Sequence, residues 1–209
     1  MSTLAHRPPR APRTITRRTL ALDGRYPAGA PSEARAMLDW GAWQGARDPL
    51  VVTLAGELRR AAATQAPSAR RGLRRLATDA DERLVNEVRA ICRWVATRVT
   101  YRPDGAGEMI EMPLYTLRAR AADCDGMVAL TLALAGALHI DGRAVWIWLV
   151  ERDGAGAMLG GRALHTVAEL RTPAGLLYAD PVVKPGLVVR SYVAWAKAEL
   201  PAGTTVEIL

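Results

Sequence analysis

Cys124 stands between Asp123 and Asp125 at the mouth of a long apolar run, in the stretch AADCDGMVALTLALAGAL over positions 121–138. An aspartate just ahead of a helical pattern is an N-cap signal, so Cys124 is expected in the first turn, near unpaired backbone N–H groups and the positive end of the helix dipole. A thiolate is favoured at such a place, and the thiolate is the nucleophilic form of cysteine. Asp125 opposes that by adding negative charge. A cysteine nucleophile needs a base, and the chain offers three histidines. His6 lies in an arginine-rich leading segment. His139 closes the helix that Cys124 opens, which puts it ~20 Å away at 1.5 Å of rise per residue. His165 remains, inside a stretch that alternates like a strand.

Hairpin register supplies a third group. If TPAG is a four-residue connection, Arg171 stands opposite Leu176, Val167 opposite Asp180, and His165 diagonal to Asp180 on the same face. Diagonal same-face neighbours are about 7–8 Å apart, within reach of long side chains. A slip of one residue would turn Asp180 to the other face. The alignment therefore makes Cys124, His165 and Asp180 the candidate nucleophile, base and orienting carboxylate. Alone, a cysteine at the start of an apolar helix is more often a buried small residue; the ordered histidine and aspartate shift the balance towards chemistry.

These residues need elements to hold them. Ser32 is expected to cap a helix through EARAMLDWGAWQGAR, and Asp48 followed by Pro49 to start a second through LVVTLAGELRRAAA. A polar, basic, Pro-containing connection follows. A third helix is expected from about Asp81 to Val99, with Leu84, Val88, Ile91, Val95 and Val99 on its inner stripe. Residues 101–120 lose helical period and gain Pro and Gly, as a long irregular loop would. Residues 127–138 are apolar on nearly every side, as in an enclosed helix. Then RAVWIWLV, ALHTVAEL and GLLYADPV read as strands of an antiparallel meander. LVVRSYVAWAKAEL is expected to be partly helical, and TTVEIL an edge strand. DGAGAMLGGR reads as a hairpin tip.

The chain has 209 residues, half of them hydrophobic, with a formal net charge of +7. That is enough for one globular domain over 32–209, with helices over 32–100 and the catalytic core over about 81–185. Residues 1–31 hold Arg7, Arg10, Arg13, Arg17, Arg18 and Arg25 against the single acid Asp23, and are expected to form a flexible basic arm. Nucleic acid is a candidate partner only through that arm. The longest apolar run is short of the ~20 residues that span a bilayer, so no membrane partner is expected. Two cysteines and no leading apolar stretch point to thiols in the cytoplasm, although counting leaves a Cys92–Cys124 bridge open. Cys92 reads as a packing residue. Scattered cysteines and histidines suggest no metal site, and no cofactor is expected.

The order ADCDGMVALTLALAGALHIDGR, LHTVAEL and LLYADPVV resembles the transglutaminase-like superfamily, in which a cysteine opens a helix, a histidine sits on a strand and Asp-Pro closes the next strand. Upstream, VRAICRWVATRVTYRPDGAGEMIEMPLYTL and EARAMLDWGAWQGARDPLVVTLA are similar to bacteriophage and prophage members, so the likeness covers roughly residues 30–185. It implies an α+β, papain-like core with the cysteine helix packed on an antiparallel sheet, Cys124, His165 and Asp180 as a triad, and a protein or peptide substrate. The activity implied is cysteine-dependent amide hydrolysis through a thioester. Glutamine acyl transfer and an idle phage structural role are the alternatives, the last with a virion partner and location in a bacterial host or virion. The family usually has Gly where this chain has Ala122, and often an acid where it has Gly126. An additional oxyanion donor is sought in the 101–120 loop, with Tyr115 the candidate.

Overall fold

The structure is a computed structural model that describes residues 25–27, 31–64, 79–103, 109–151, 163–200 and 204–208. In chain order the elements are β1 (Arg25–Pro27), α1 (Pro31–Gly45), α2 (Pro49–Ala63), α3 (Asp79–Arg98), β2 (Thr100–Tyr101), β3 (Met109–Glu111), α4 (Pro113–Ala119) and β4 (Ala121–Ala122). They continue with α5 (Cys124–Ala137), β5 (Gly142–Glu151), β6 (Ala163–Thr172), β7 (Gly175–Asp180), β8 (Leu187–Val189), α6 (Tyr192–Glu199) and β9 (Thr204–Ile208). The main sheet has the order β8-β7-β6-β5-β9, and every pair in it is antiparallel. The expected α+β meander with TTVEIL as an edge strand is the observed one.

The two sheet faces carry different covers. Ala144, Trp146, Leu164, Ala168, Leu170, Leu177, Ala179 and Val188 face the cluster built by α1–α5. Val145, Ile147, Val167 and Leu187 face the other way, packed with Tyr192 and Trp195 of α6. This is the period-two alternation of a sheet buried on both sides. α5 is apolar all round because it lies between the sheet and the other helices. Its residues from Asp125 to Ala135 are buried, and each leucine so enclosed contributes about 1.5–3 kcal/mol of transfer free energy. Its far end closes in a Schellman arrangement. His139 takes the left-handed residue's place at φ 64, its N–H bonds the Gly136 carbonyl at 2.9 Å, and the Ile140 N–H bonds the Ala135 carbonyl at 3.0 Å.

Several expectations are corrected. α1 begins at Pro31, so Ser32 is inside the helix rather than its cap; a proline preset to helical φ starts a helix one residue ahead of a serine. The cap at Asp48 is as expected, with its carboxylate accepting the Leu50 N–H at 2.9 Å. Residues 101–120 are not one irregular loop, because β3 and α4 lie within them. Pro113, which looks like a breaker, is the first residue of α4, where its missing N–H costs nothing. Within the segment expected to be a basic arm, Arg25–Pro27 pairs with Met109–Glu111. Residues 1–24 and 28–30 of the arm, the connection at 65–78 and the whole tip at 153–162 lie outside the described residues. No helix among the described residues is long and apolar enough to cross a membrane.

Candidate active site

Arg120 ends α4 in the left-handed region at φ 56 and turns the chain into β4. β4 runs parallel to β2, with Thr100 opposite Ala121 and Tyr101 opposite Ala122. Ala122 therefore sits in extended strand and not at a positive φ. The left-handed step that a glycine would ease falls two residues earlier, so alanine at 122 is unstrained.

Asp123 caps α5, its carboxylate accepting the Gly126 N–H at 3.0 Å. In a capping box the residue three places into the helix returns the favour by accepting the cap's own N–H. Gly126 has no side chain to do so. Glu111 of β3 does it instead: its Oε2 accepts the Asp123 N–H at 3.3 Å, and the side chain is 1% exposed. A Cβ at Gly126 would stand 2.6 Å from that same oxygen and 2.8 Å from the Ala122 Cβ. Glycine at 126 is thus the space that a carboxylate from another element fills.

Cys124 opens α5 as expected, and it is half-buried and free; Cys92 is buried and free, so there is no bridge between them. The thiol donates weakly to Asp125 Oδ1 at 3.9 Å. Asp125 is buried and also accepts the Thr166 hydroxyl. Burial, followed by the charges of Asp125 and Asp123, pushes the Cys124 thiol up to about 12, against donation from the Thr166 N–H and hydroxyl. The helix N-terminus was expected to favour the thiolate. Enclosure and two flanking carboxylates outweigh it, because burial penalises the charged form and like charge adds to that penalty.

The other half of the site is built by strands. Arg171 pairs with Leu176, as the sequence register requires, and the β6–β7 ladder ends at Ala168 opposite Ala179. Beyond that point β6 has no β7 partner. There His165 Nε2 donates to Asp180 Oδ2 at 2.7 Å, with His165 8% and Asp180 0% exposed. Asp180 Oδ2 also accepts the Tyr192 hydroxyl at 2.6 Å, and Oδ1 accepts the N–H groups of Val182 and Val183 at 3.0 and 3.1 Å. Burial alone would raise Asp180, but the hydrogen bond and charge of His165, then Tyr192 and Val183, hold it below its ordinary value.

The two halves meet across the sheet. Thr166 turns its hydroxyl to Asp125 on the α5 side, while its neighbour His165 engages Asp180 and, through it, Tyr192 of α6. Asp125, next to Cys124, is thus hydrogen-bonded to Thr166, next to His165. With Nε2 given to Asp180, the His165 Nδ1 is the ring nitrogen left to accept a proton. His139, at the far end of α5, takes no part. Tyr115 lies on α4. Sequence reasoning did not find Glu111, Thr166 or Tyr192; the acid missing at position 126 was the only signal that another element must supply one.

A family model described as the transglutaminase-like superfamily matches residues 71–181. The chain belongs to that superfamily. The match spans Cys124, His165 and Asp180 and stops short of Tyr192. No curated protein matches the sequence. Among solved structures, a "putative cysteine protease" from Cytophaga hutchinsonii is 20% identical with a TM-score of 0.36, covering 58% of this chain and 39% of that one. A "putative protease" from Parabacteroides distasonis is 10% identical with a TM-score of 0.44, covering 84% and 29%. A protein described as a TGase is 15% identical with a TM-score of 0.38, covering 75% and 38%. The chain thus spans less than half the length of each. None of the three is described as a phage protein.

Proposed function

We propose that this protein is a cysteine-dependent amide-bond hydrolase with Cys124 as nucleophile, His165 as base and Asp180 as the carboxylate that orients the ring. The observation that carries the reading is the buried His165–Asp180 hydrogen bond at 2.7 Å, on the residue next to Thr166, whose hydroxyl bonds the Asp125 beside Cys124. Because the thiol is held protonated, attack and proton transfer go together. The sulfur adds to a substrate carbonyl as its proton passes to His165 Nδ1, and the imidazolium returns that proton to the leaving amine. A thioester is left on Cys124. Water, deprotonated by the same nitrogen, then releases the acid. An amine in place of water would give acyl transfer, which the same three residues support. The Cys124 backbone N–H at the start of α5 is the oxyanion donor in this reading, and Tyr115 a candidate second one.

The test is a covalent trap. Wild type and Cys124→Ala are incubated with a peptide and protein mixture and weighed intact by mass spectrometry. An acyl adduct on the wild type alone supports the reading; adducts on neither, with hydrolysis absent, would end it. A second reading, an interaction protein whose cysteine is idle, is favoured by the thiol's being pushed up to about 12. The likeness to phage members makes a virion protein a candidate partner for it. Equal and slow iodoacetamide labelling of Cys124 and Cys92 on either side of neutral pH, with no adduct, would favour that second reading.

A further inference from the structure

Tyr192 is the first residue of α6, which Ser191 caps by accepting the Ala194 N–H at 3.2 Å. Its side chain is 1% exposed, its ring packs at 5.1 Å and 58° to Trp195, and its hydroxyl donates to Asp180 Oδ2 at 2.6 Å. That oxygen is the one His165 uses. Oδ1 is committed to the turn after β7, through Val182 and Val183. Two backbone donors fix one oxygen, and the remaining freedom of the carboxylate is rotation that swings Oδ2. The phenol, held by α6 and its packing against Val145, Ile147 and Val167, removes that freedom as a second donor beside His165.

We propose that Tyr192 is a positioning residue of the site, holding Asp180 so that His165 keeps its proton on Nε2 and presents Nδ1 to the sulfur. This deepens the triad reading and rests on it. The hydroxyl is not a base in its own right: burial and the neighbouring Asp180 charge push it well above the ordinary phenol range. It therefore stays a donor over the whole working range of pH. The groups facing Asp180 are His165 from β6, Tyr192 from α6 and the Cys92 thiol from α3. Cys92 is itself pushed up to about 12 by burial and then by Asp180, so it stays neutral. Tyr192→Phe changes no charge at Asp180 and removes one donated hydrogen bond.

The experiment measures two quantities on wild type and Tyr192→Phe. One is the carboxyl titration of Asp180 by carbon NMR; the other is the pH profile of Cys124 acylation by a substrate found with the trap. Losing a donor to the ionised form raises the carboxyl midpoint by about one pH unit. The low-pH limb of acylation is expected to rise with it, kcat to fall about tenfold, and KM to stay unchanged. Trp195→Leu, which removes one ring contact and leaves the hydroxyl and the packing against Val145, Ile147 and Val167, should move neither limb nor midpoint. Acylation present in both proteins with coincident limbs and midpoints would overturn the proposal and leave the triad standing. No acylation of the wild type by any substrate would instead remove the triad reading. Should Tyr192→Phe fail to fold, the wild type labelled at the Tyr192 and Asp180 ring and carboxyl carbons answers the question. Perturbation of the Tyr192 ring carbon at the Asp180 midpoint supports the bond, and an indifferent ring carbon overturns it.

Discussion

The two sides of the site are built on opposite electrostatic terms. On the strand side, Asp180 is fully buried yet ionised, because both oxygens take two donors each. On the helix side, Cys124 is less buried yet neutral, because the nearest carboxylates add to the cost of a second negative charge. Burial penalises both anions. What differs is the number of donors aimed at each, and a buried anion survives only where hydrogen bonds replace water. The charge is thus stored on Asp180, and under the proposed mechanism the sulfur acquires charge only as it loses its proton to the ring.

With the sulfur neutral and the ring its proton acceptor in the proposed reaction, His165→Gln should slow acylation by about 10²–10⁴-fold, the usual range for a lost general base, with substrate binding intact; single-turnover kinetics would check it. A neutral thiol that reacts as fast without the imidazole would break the comparison. Next in size, Asp180→Ala leaves the buried Tyr192 hydroxyl and His165 Nε2–H without their acceptor and is expected to cost about 3–5 kcal/mol in urea unfolding. The sign of the pH dependence follows from the depressed Asp180 value. Its stabilisation is present above the unfolded carboxyl value near 3.8 and is lost as pH falls through the lower folded one. Asp180→Asn should flatten that acid slope.

Smaller effects sharpen the helix side. Gly126→Ala drives a methyl against Glu111 Oε2 and the Ala122 Cβ, and should lower stability by about 1–3 kcal/mol, read as a fall in Tm. Glu111→Gln keeps an acceptor for the Asp123 N–H and should cost less. Asp125→Asn keeps an acceptor for Thr166 and removes the larger of the two charges that raise the thiol. Each unit by which the thiol falls gives tenfold more thiolate of lower intrinsic nucleophilicity, so iodoacetamide should label Cys124 about threefold faster per unit. Cys92, whose neighbours are unchanged, is the internal standard.

Local signals made much of this legible. Asp123 before an apolar run gave the cap and the position of Cys124, and the length of the β6–β7 turn gave the register that brings Asp180 to His165. Both depend on a few adjacent residues. The parts that stayed hidden depend on distant segments. Glu111 reaches the start of α5 from β3, and its role shows in sequence only as a glycine where an acid is common. Tyr192 reaches Asp180 because α6 covers the second face of the sheet, and nothing in SYVAW announces which face that is. The thiol's shift was half legible, since Asp125 adjoins Cys124, but the degree of enclosure that decides it is a property of packing.

The recognisable segment ends at residue 181, one position beyond the carboxylate. A recombinant fragment trimmed to it would keep Cys124, His165 and Asp180 and discard part of what holds them. Gone would be Leu187, which pairs with Asp180 in the ladder and whose carbonyl takes the Cys92 thiol at 3.4 Å, and with it the phenol behind the carboxylate. Water would enter from the rear, and the aspartate would become an ordinary surface acid. The family match and the set of residues that hold Asp180 therefore end at different places in this chain, since Leu187 and Tyr192 lie beyond the match.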